Sequence, residues 1–318
     1  MTSIHSRHLV DAELSPLLDL FPATLLSDET LAEARARELP LPIDPAAEAA
    51  VVSEARRIPG PAGAPEVEIF YHRPRAASGV LPCILHIHGG GYVMGSARSM
   101  APLQKPLVQK LGCAMVAVEY RLAPETRAPG AVEDCYAALA WLAAHAAEIG
   151  VDPKRIGVMG ESAGGGLAAA LALLARDRAE YRLAFQHLIY PMLDDRTSAE
   201  TADVHPFAGE FIWTHHNNRF GWNALLGVPA GSDGVSPYAA PARAESLSGL
   251  PPTFISTGAL DLFVDENVDY AQRLIRAGVP TEFQVYAGAF HAFDFAPQAG
   301  VAERARRDSL AALVRALA

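Results

Sequence analysis

Apolar residues fall along this chain in short blocks separated by longer helical stretches. Val67, Ile69 and Tyr71 alternate with polar neighbours, as on a half-buried strand. The runs 83–87, 113–118, 155–159 and 185–190 are short and almost wholly apolar, the pattern of strands covered on both faces of a parallel sheet. Between them, residues 103–111, 132–147 and 165–175 have helix-like spacing or the Ala/Leu content of strong helix formers. Such repeated βα units predict an α/β protein with a mostly parallel central sheet flanked by helices. Further strands are expected at 254–257 and 282–286, and a helix at 301–317.

Two segments do not fit the alternation. Residues 10–50 hold two helix-like stretches, separated by Phe21-Pro22 and ended by Leu39-Pro40-Leu41-Pro42. They precede the alternation that begins at Val67, so they are expected outside the sheet, over its carboxyl edge. The interval of about 194–248 is long for a connection between neighbouring strands and contains Phe207, Phe211, Trp213, Phe220 and Trp222. An insertion of that size is expected to form a lid. The expected organisation is therefore one domain spanning 1–318, with a helical cap built from about 1–50 and about 194–248. Most of the cap aromatics should pack on one another, leaving one or two of Phe207, Phe211 and Trp213 to touch a ligand.

Composition narrows the partners. Half of the 318 residues are apolar, enough for a large core. Acidic residues exceed basic ones, 36 against 26, for a formal charge of −10, and no basic stripe appears, which disfavours a nucleic-acid partner. No apolar run reaches spanning length, and Met1 to His8 lead into acidic residues and prolines rather than a signal-peptide core, so a cytoplasmic protein without a membrane partner is expected. Cys83, Cys113 and Cys135 are odd in number and read as buried thiols. His86-x-His88 and His215-His216 lack an Asp, Glu or Cys set at ligand spacing, so no metal is expected.

The candidate chemistry centres on Gly160-Glu161-Ser162-Ala163-Gly164, which joins the strand at 155–159 to the helix that follows. A strand, a sharp turn and a helix place Ser162 at the tip of a strained elbow, with glycines on either side where strand and helix backbones approach. A serine hydroxyl needs a base within hydrogen-bond reach and an acid to orient that base. Asp261 lies just beyond the strand at 254–257, and His291 lies in a glycine-bearing loop after 282–286, giving the chain order Ser, Asp, His. Asp265 and Glu266 compete for the acid role. Asp265 reads better as the N-cap of a helix at 267–277, with Glu266 in its first turn, so Asp261 leads. Upstream, His88-Gly89-Gly90-Gly91-Tyr92 follows the strand at 83–87, and a triple-glycine loop can turn its N–H groups toward one point, as an oxyanion requires. The Ala163 N–H would complete that hole. A phosphate-binding loop fits less well, because neither Lys-Ser/Thr nor the Gly-x-Gly-x-x-Gly spacing is present.

With Glu119-Tyr120-Arg121-Leu122-Ala123-Pro124-Glu125 between them, the His88-Gly-Gly-Gly and Gly160-Glu-Ser-Ala-Gly-Gly segments resemble those of the bacterial hormone-sensitive-lipase-like esterases, family IV of the α/β-hydrolase superfamily. The likeness extends over nearly the whole chain through Asp261-Leu262-Phe263-Val264-Asp265-Glu266 and His291-Ala292-Phe293. It implies an α/β-hydrolase fold and hydrolysis of short to medium acyl-chain carboxylic esters, with no cofactor. It also implies oxyanion donors from Gly90, Gly91 and Ala163, with His88 holding the loop. The chain departs from the family where Asp-Pro-Leu-Arg-Asp-Glu is frequent, where glycine often stands in place of Ala292, and where Asp is common in place of Glu161. Two other readings stay open: hydrolysis of another acyl bond (amide, lactone or carbonate), and a non-catalytic small-molecule receptor such as the plant gibberellin receptors of the wider family. Retention of His291 argues against the receptor. Edge strands favour pairing, which leaves a homodimer through the last strand and the tail at 301–317 open.

Overall fold

The computed structural model describes residues 5–20, 24–37 and 41–318. In chain order its elements are α1 (Ser15–Leu20), α2 (Leu31–Ala36), α3 (Pro45–Ala50), β1 (Val51–Ile58), β2 (Val67–Pro74), β3 (Leu81–Ile87), α4 (Ala101–Leu111), β4 (Ala114–Glu119), α5 (Gly130–Ile149), β5 (Val151–Glu161), α6 (Ala163–Arg178), β6 (Gln186–Ile189), α7 (His215–Leu226), β7 (Thr253–Gly258), α8 (Val264–Arg276), β8 (Thr281–Tyr286) and α9 (Gly300–Leu317). The strands form one eight-stranded sheet in the order β1-β2-β4-β3-β5-β6-β7-β8. Only β2 runs against the others, pairing antiparallel with both β1 and β4. This is the α/β-hydrolase fold.

Burial follows the sequence pattern. β3 and β7 are buried along their whole length, β3 as its mostly apolar run requires, and β7 with Thr253, Ser256 and Thr257 buried among its apolar residues. On one face of the sheet, Leu139 and Leu142 of α5, Leu171 and Leu174 of α6 and Leu274 of α8 join one core. On the other, Val108 of α4 and Leu313 and Leu317 of α9 pack with Phe290, Phe293, Leu14 and Leu17. Burial of an apolar side chain of this size contributes about 1.5–3 kcal/mol, so two such layers fix the sheet and, with it, the loops at its carboxyl edge.

β1 is a strand that the sequence pattern missed. Val51–Ile58 includes Ser53, Glu54, Arg56 and Arg57, and only its two end residues are fully buried. An edge strand with a solvated face shows no apolar alternation, yet its pairing with β2 extends from Val51 opposite Pro74 to Ile58 opposite Val67. β5 is likewise longer than 155–159, and α8 starts at Val264. Asp265 is therefore not an N-cap: Phe263 takes that position, and Asp265 lies exposed in the first turn.

α3 lies against α4 and leads directly into β1. The earlier part of the N-terminal segment reaches the insertion. Asn217 of α7 accepts from the Leu26 N–H at 2.9 Å and donates to the Thr24 carbonyl at 2.8 Å, while His216 bonds the Leu26 carbonyl at 2.9 Å. The Ser6 hydroxyl donates to Glu210 at 2.8 Å. Arg35 of α2 bonds the carbonyls of Val93 and Ala123, at 2.7 and 2.8 Å, and pairs with Glu125. Phe21-Pro22 and Leu39-Pro40 lie outside the described residues. The ends of the insertion are tied as well. Buried Asp195 pairs with Arg243 at 2.6 Å and accepts from the Gly231 N–H.

Candidate active site

Ser162 sits between β5 and α6 with φ 56° and ψ −121°, a left-handed conformation that a non-glycine residue adopts only under constraint. The flanking glycines are required by contact. A Cβ on Gly160 would lie 2.2 Å from the Gly164 carbonyl oxygen, and one on Gly164 would lie 2.1 Å from that of Ile87. The Ser162 hydroxyl makes no capping bond to α6. It donates instead to His291 Nε2 at 3.0 Å. With Nδ1 facing a carboxylate, the neutral imidazole carries its proton there, and that N–H donates to Asp261 Oδ2 at 2.9 Å. The other oxygen of Asp261 accepts from the Phe263 N–H at 3.0 Å, so the same carboxylate also shapes the turn that starts α8. Ser162, His291 and Asp261 are 7%, 5% and 0% exposed.

The rival acids point elsewhere. Glu266 is buried, accepts from the N–H groups of Leu193 and Asp194 at 2.6 and 3.3 Å, and takes the Thr197 hydroxyl. It thereby holds the start of the insertion. Asp265 faces solvent.

The glycine loop stands beside Ser162. Gly90 and Gly91 have φ of 122° and 61°, and a Cβ on Gly90 would meet the Met94 carbonyl at 2.1 Å. Among the described residues, the N–H groups of Gly90, Gly91 and Ala163 donate to no protein acceptor, while the Gly90 carbonyl accepts from Val93 and Met94. His88 is held in place by its Nδ1 bond to the Gly89 carbonyl at 2.8 Å and by stacking on Tyr120 at 4.2 Å, whose hydroxyl donates to the His88 carbonyl at 2.9 Å. Burial pushes the His88 imidazole down to about 4, so it is neutral around pH 7.

Glu161, next to Ser162, anchors a line of polar side chains that runs through buried His86, Gln104 and His72 to exposed Ser53. His86 Nε2 donates to it at 3.0 Å, Gln104 donates to His86 Nδ1 at 3.1 Å, His72 meets Gln104 Oε1 at 3.1 Å, and Ser53 meets His72 at 2.8 Å. These histidines are thus occupied with structure. His215 in turn meets Ser198 at 3.2 Å. Among the described residues, no three His, Cys, Asp or Glu side chains gather where a metal ion could be held.

The three aromatic candidates separate. Trp213 is 5% exposed and covers Gly91, where a Cβ would meet the indole at 2.1 Å; its ring lies 6.5 Å from that of His291. The Trp213 N–H donates to Asn218 at 3.1 Å, and Asn218 donates to Ser198. Phe211 packs on Phe290 at 5.7 Å, one residue before the histidine. Phe207 is 43% exposed, with its ring against His8 and His205, away from the other two.

Two further rings close on His291 that no sequence spacing suggested. Tyr190 lies 4.7 Å away and Phe263 5.2 Å away, both edge-on. Phe263 belongs to the acid segment in which the chain departs from Asp-Pro-Leu-Arg-Asp-Glu, and Leu262, Phe263 and Val264 are all buried there. Ala292 has φ 60°, which explains why glycine suits that position.

Residues 84–295 match a family described as having the alpha/beta hydrolase fold. Over 314 residues the chain is 34% identical to carboxylesterase NlhH of Mycobacterium tuberculosis, a match covering 97% of this chain and 96% of that protein. It is 34% identical over 235 residues to ethyl acetate hydrolase of Pseudomonas putida, covering 74% and 72%. The solved structure of a bacterial heroin esterase matches with a TM-score of 0.90 at 40% identity, covering 99% of this chain and 100% of that one.

Proposed function

Since the chain belongs to the hormone-sensitive-lipase-like (family IV) esterases of the α/β-hydrolase fold and is a carboxylic ester hydrolase, we propose that it cleaves short to medium acyl-chain esters by two acyl transfers on Ser162. His291 takes the Ser162 proton as the hydroxyl oxygen attacks the ester carbonyl. The N–H groups of Gly90, Gly91 and Ala163 hold the oxyanion of the tetrahedral intermediate, with Ala163 at the positive end of α6. His291 then returns the proton to the departing alcohol, and an acyl-serine remains. Water, deprotonated by His291, attacks that ester, and collapse of the second intermediate releases the acid and restores Ser162. Asp261 orients the imidazole and stabilises its protonated form. No step calls for a cofactor.

The observation that carries this reading is the unbroken line Asp261–His291–Ser162, with bonds of 2.9 and 3.0 Å, beside amides that no protein acceptor among the described residues engages. In this reading the N-terminal segment ahead of α3 and the insertion of about 194–248 serve as the cap, with Trp213 and Phe211 lining the substrate side and Phe207 at its outer rim. The placement of Trp213 over Gly91 favours compact acyl groups, and the ester named in ethyl acetate hydrolase supports the same range. A cytoplasmic setting accords with three buried free cysteines. Among the described residues, no helix is long and apolar enough to cross a membrane. β8 ends the sheet and is where a second copy would pair.

The test is Ser162→Ala with a short-chain aryl ester and a fluorophosphonate probe. The variant is expected to fold normally, lose at least about 10⁴-fold in kcat and escape labelling. Turnover near that of the unaltered protein, or labelling of another serine, would overturn the assignment.

A further inference from the structure

Tyr190 stands at the carboxyl end of β6 with φ 36°, again in the left-handed region, and its N–H donates to the Ser256 carbonyl of β7 at 2.6 Å. The ring presents its edge to His291 at 4.7 Å. Its hydroxyl does not end among apolar groups. It donates to Asp294 Oδ1 at 2.8 Å, a contact between residues 104 positions apart.

Asp294 lies three residues beyond His291, in the short 3-10 turn Phe293–Phe295 that the histidine loop enters. That turn is fixed from outside, because Arg306 of α9 donates to the carbonyls of Asp294, Ala296 and Pro297. The contacts close a loop: His291 leads to Asp294 through the chain, Asp294 to Tyr190 through a hydrogen bond, and Tyr190 back to His291 through ring contact. Phenylalanine would fill nearly the same space as Tyr190, but the buried Asp294 carboxylate would then lose the hydrogen bond that offsets its desolvation.

We propose that Tyr190 and Asp294 are a positioning pair for His291: the carboxylate fixes the tyrosine hydroxyl, and the ring so fixed holds the imidazole in the orientation that joins Ser162 to Asp261. The pair rests on the triad reading above and deepens it. Neither residue touches the reacting atoms; both act through the base.

The charge on Asp294 gives the pair a signature. The titratable and charged groups that face it are Tyr190 from β6, Glu161 from the elbow and Arg306 from α9. Burial, then the Glu161 charge, push the Asp294 carboxyl up to about 6, although the Tyr190 bond and Arg306 oppose the rise. Above that pH the carboxylate accepts a charge-assisted bond. Below it, the neutral acid resembles an amide.

The experiment compares kcat and KM of the unaltered protein, Asp294→Asn, Tyr190→Phe and the double variant on one short aryl ester between pH 5 and 8. The ratio of unaltered to variant kcat is compared between pH 5 and pH 8. At pH 8 each single change is expected to lower kcat about tenfold, the loss of one charge-assisted bond, with KM within about twofold. The double variant should be no slower than Tyr190→Phe, and the Asp294→Asn ratio should shrink to about twofold at pH 5. The proposal is overturned if Tyr190→Phe keeps kcat within twofold at pH 8, if the single losses multiply in the double variant, or if the Asp294→Asn ratio is the same at both pH values. Circular dichroism melts establish folding; should Asp294→Asn fail to fold, Tyr190→Phe, which removes one oxygen, decides alone. Ser162→Ala, run alongside, keeps the two readings apart: residual turnover there strikes at the triad, whereas unaffected pair variants of an active enzyme strike only at the pair.

Discussion

In the proposed mechanism, Ser162 and Gly91 act through backbone conformation as much as through side-chain chemistry. With Gly91 at φ 61° and Trp213 2.1 Å from where its Cβ would stand, Gly91→Ala meets both strain and collision. The glycine loop must shift, and with it the proposed donors. Gly91→Ala is therefore expected to lower kcat by about 10²-fold or more, in line with removal of one oxyanion donor. Adding Trp213→Ala, which vacates the colliding space, should restore part of that loss; steady-state kinetics of the single and double variants check it. At this scale the sequence was informative about Ser162, Asp261 and His291 because each follows a strand-like run and sits beside glycine or a turn. Tyr190 and Asp294 were not legible, since a contact over 104 residues leaves no spacing to read. The same holds for His86 and Glu161, 75 residues apart.

Among the elements, strands that are apolar or rich in β-branched residues and covered on both faces were foreseeable, and those with a solvated face were not. β3, β4 and β7 could be read directly, whereas β1, with a solvated face and charges at Glu54, Arg56 and Arg57, resembles a loop until β2 pairs with it. α8 started earlier than its polar residues implied, because Asp261, not Asp265, shapes the entry to the helix. The insertion was expected from its length to join the N-terminal segment in a cap, but the residues that tie the two together could not be read. Asn217 makes that tie with both ends of its amide. Asn217→Ala leaves the Leu26 N–H and the Thr24 carbonyl to find other partners and is expected to cost about 1–3 kcal/mol, read as a lower denaturation midpoint. Limited proteolysis should also cut the first 37 residues faster in the variant.

Across the whole molecule, buried histidines set a dependence of stability on pH. Burial pushes His187 down to about 3, so the folded protein keeps it neutral where the unfolded chain, with an ordinary value of 6.5, binds a proton. The unfolded state then binds more protons below pH 6.5, and this residue lowers stability as pH falls from about 6.5 toward 3, by at most about 1.4 kcal/mol per pH unit. His72 and His88, both pushed down to about 4, act in the same sense, while Asp294, pushed up to about 6, acts in the opposite one. His187→Gln should therefore lose less stability than the unaltered protein between pH 6.5 and 4, measured by urea midpoints across that range.

The ion pair of buried Asp195 with part-buried Arg243 has a meaning for how such a protein can change over time. It clasps the two ends of the insertion close to the sheet, so the intervening stretch behaves as a cassette with its own lock. Segments of other length or composition exchanged inside that lock would have to preserve the contacts of Trp213 with Gly91, Phe211 with Phe290 and Asn217 with Leu26. In the proposed reading, in which this stretch caps the site, a change of ester preference would then come from the rest of the cassette.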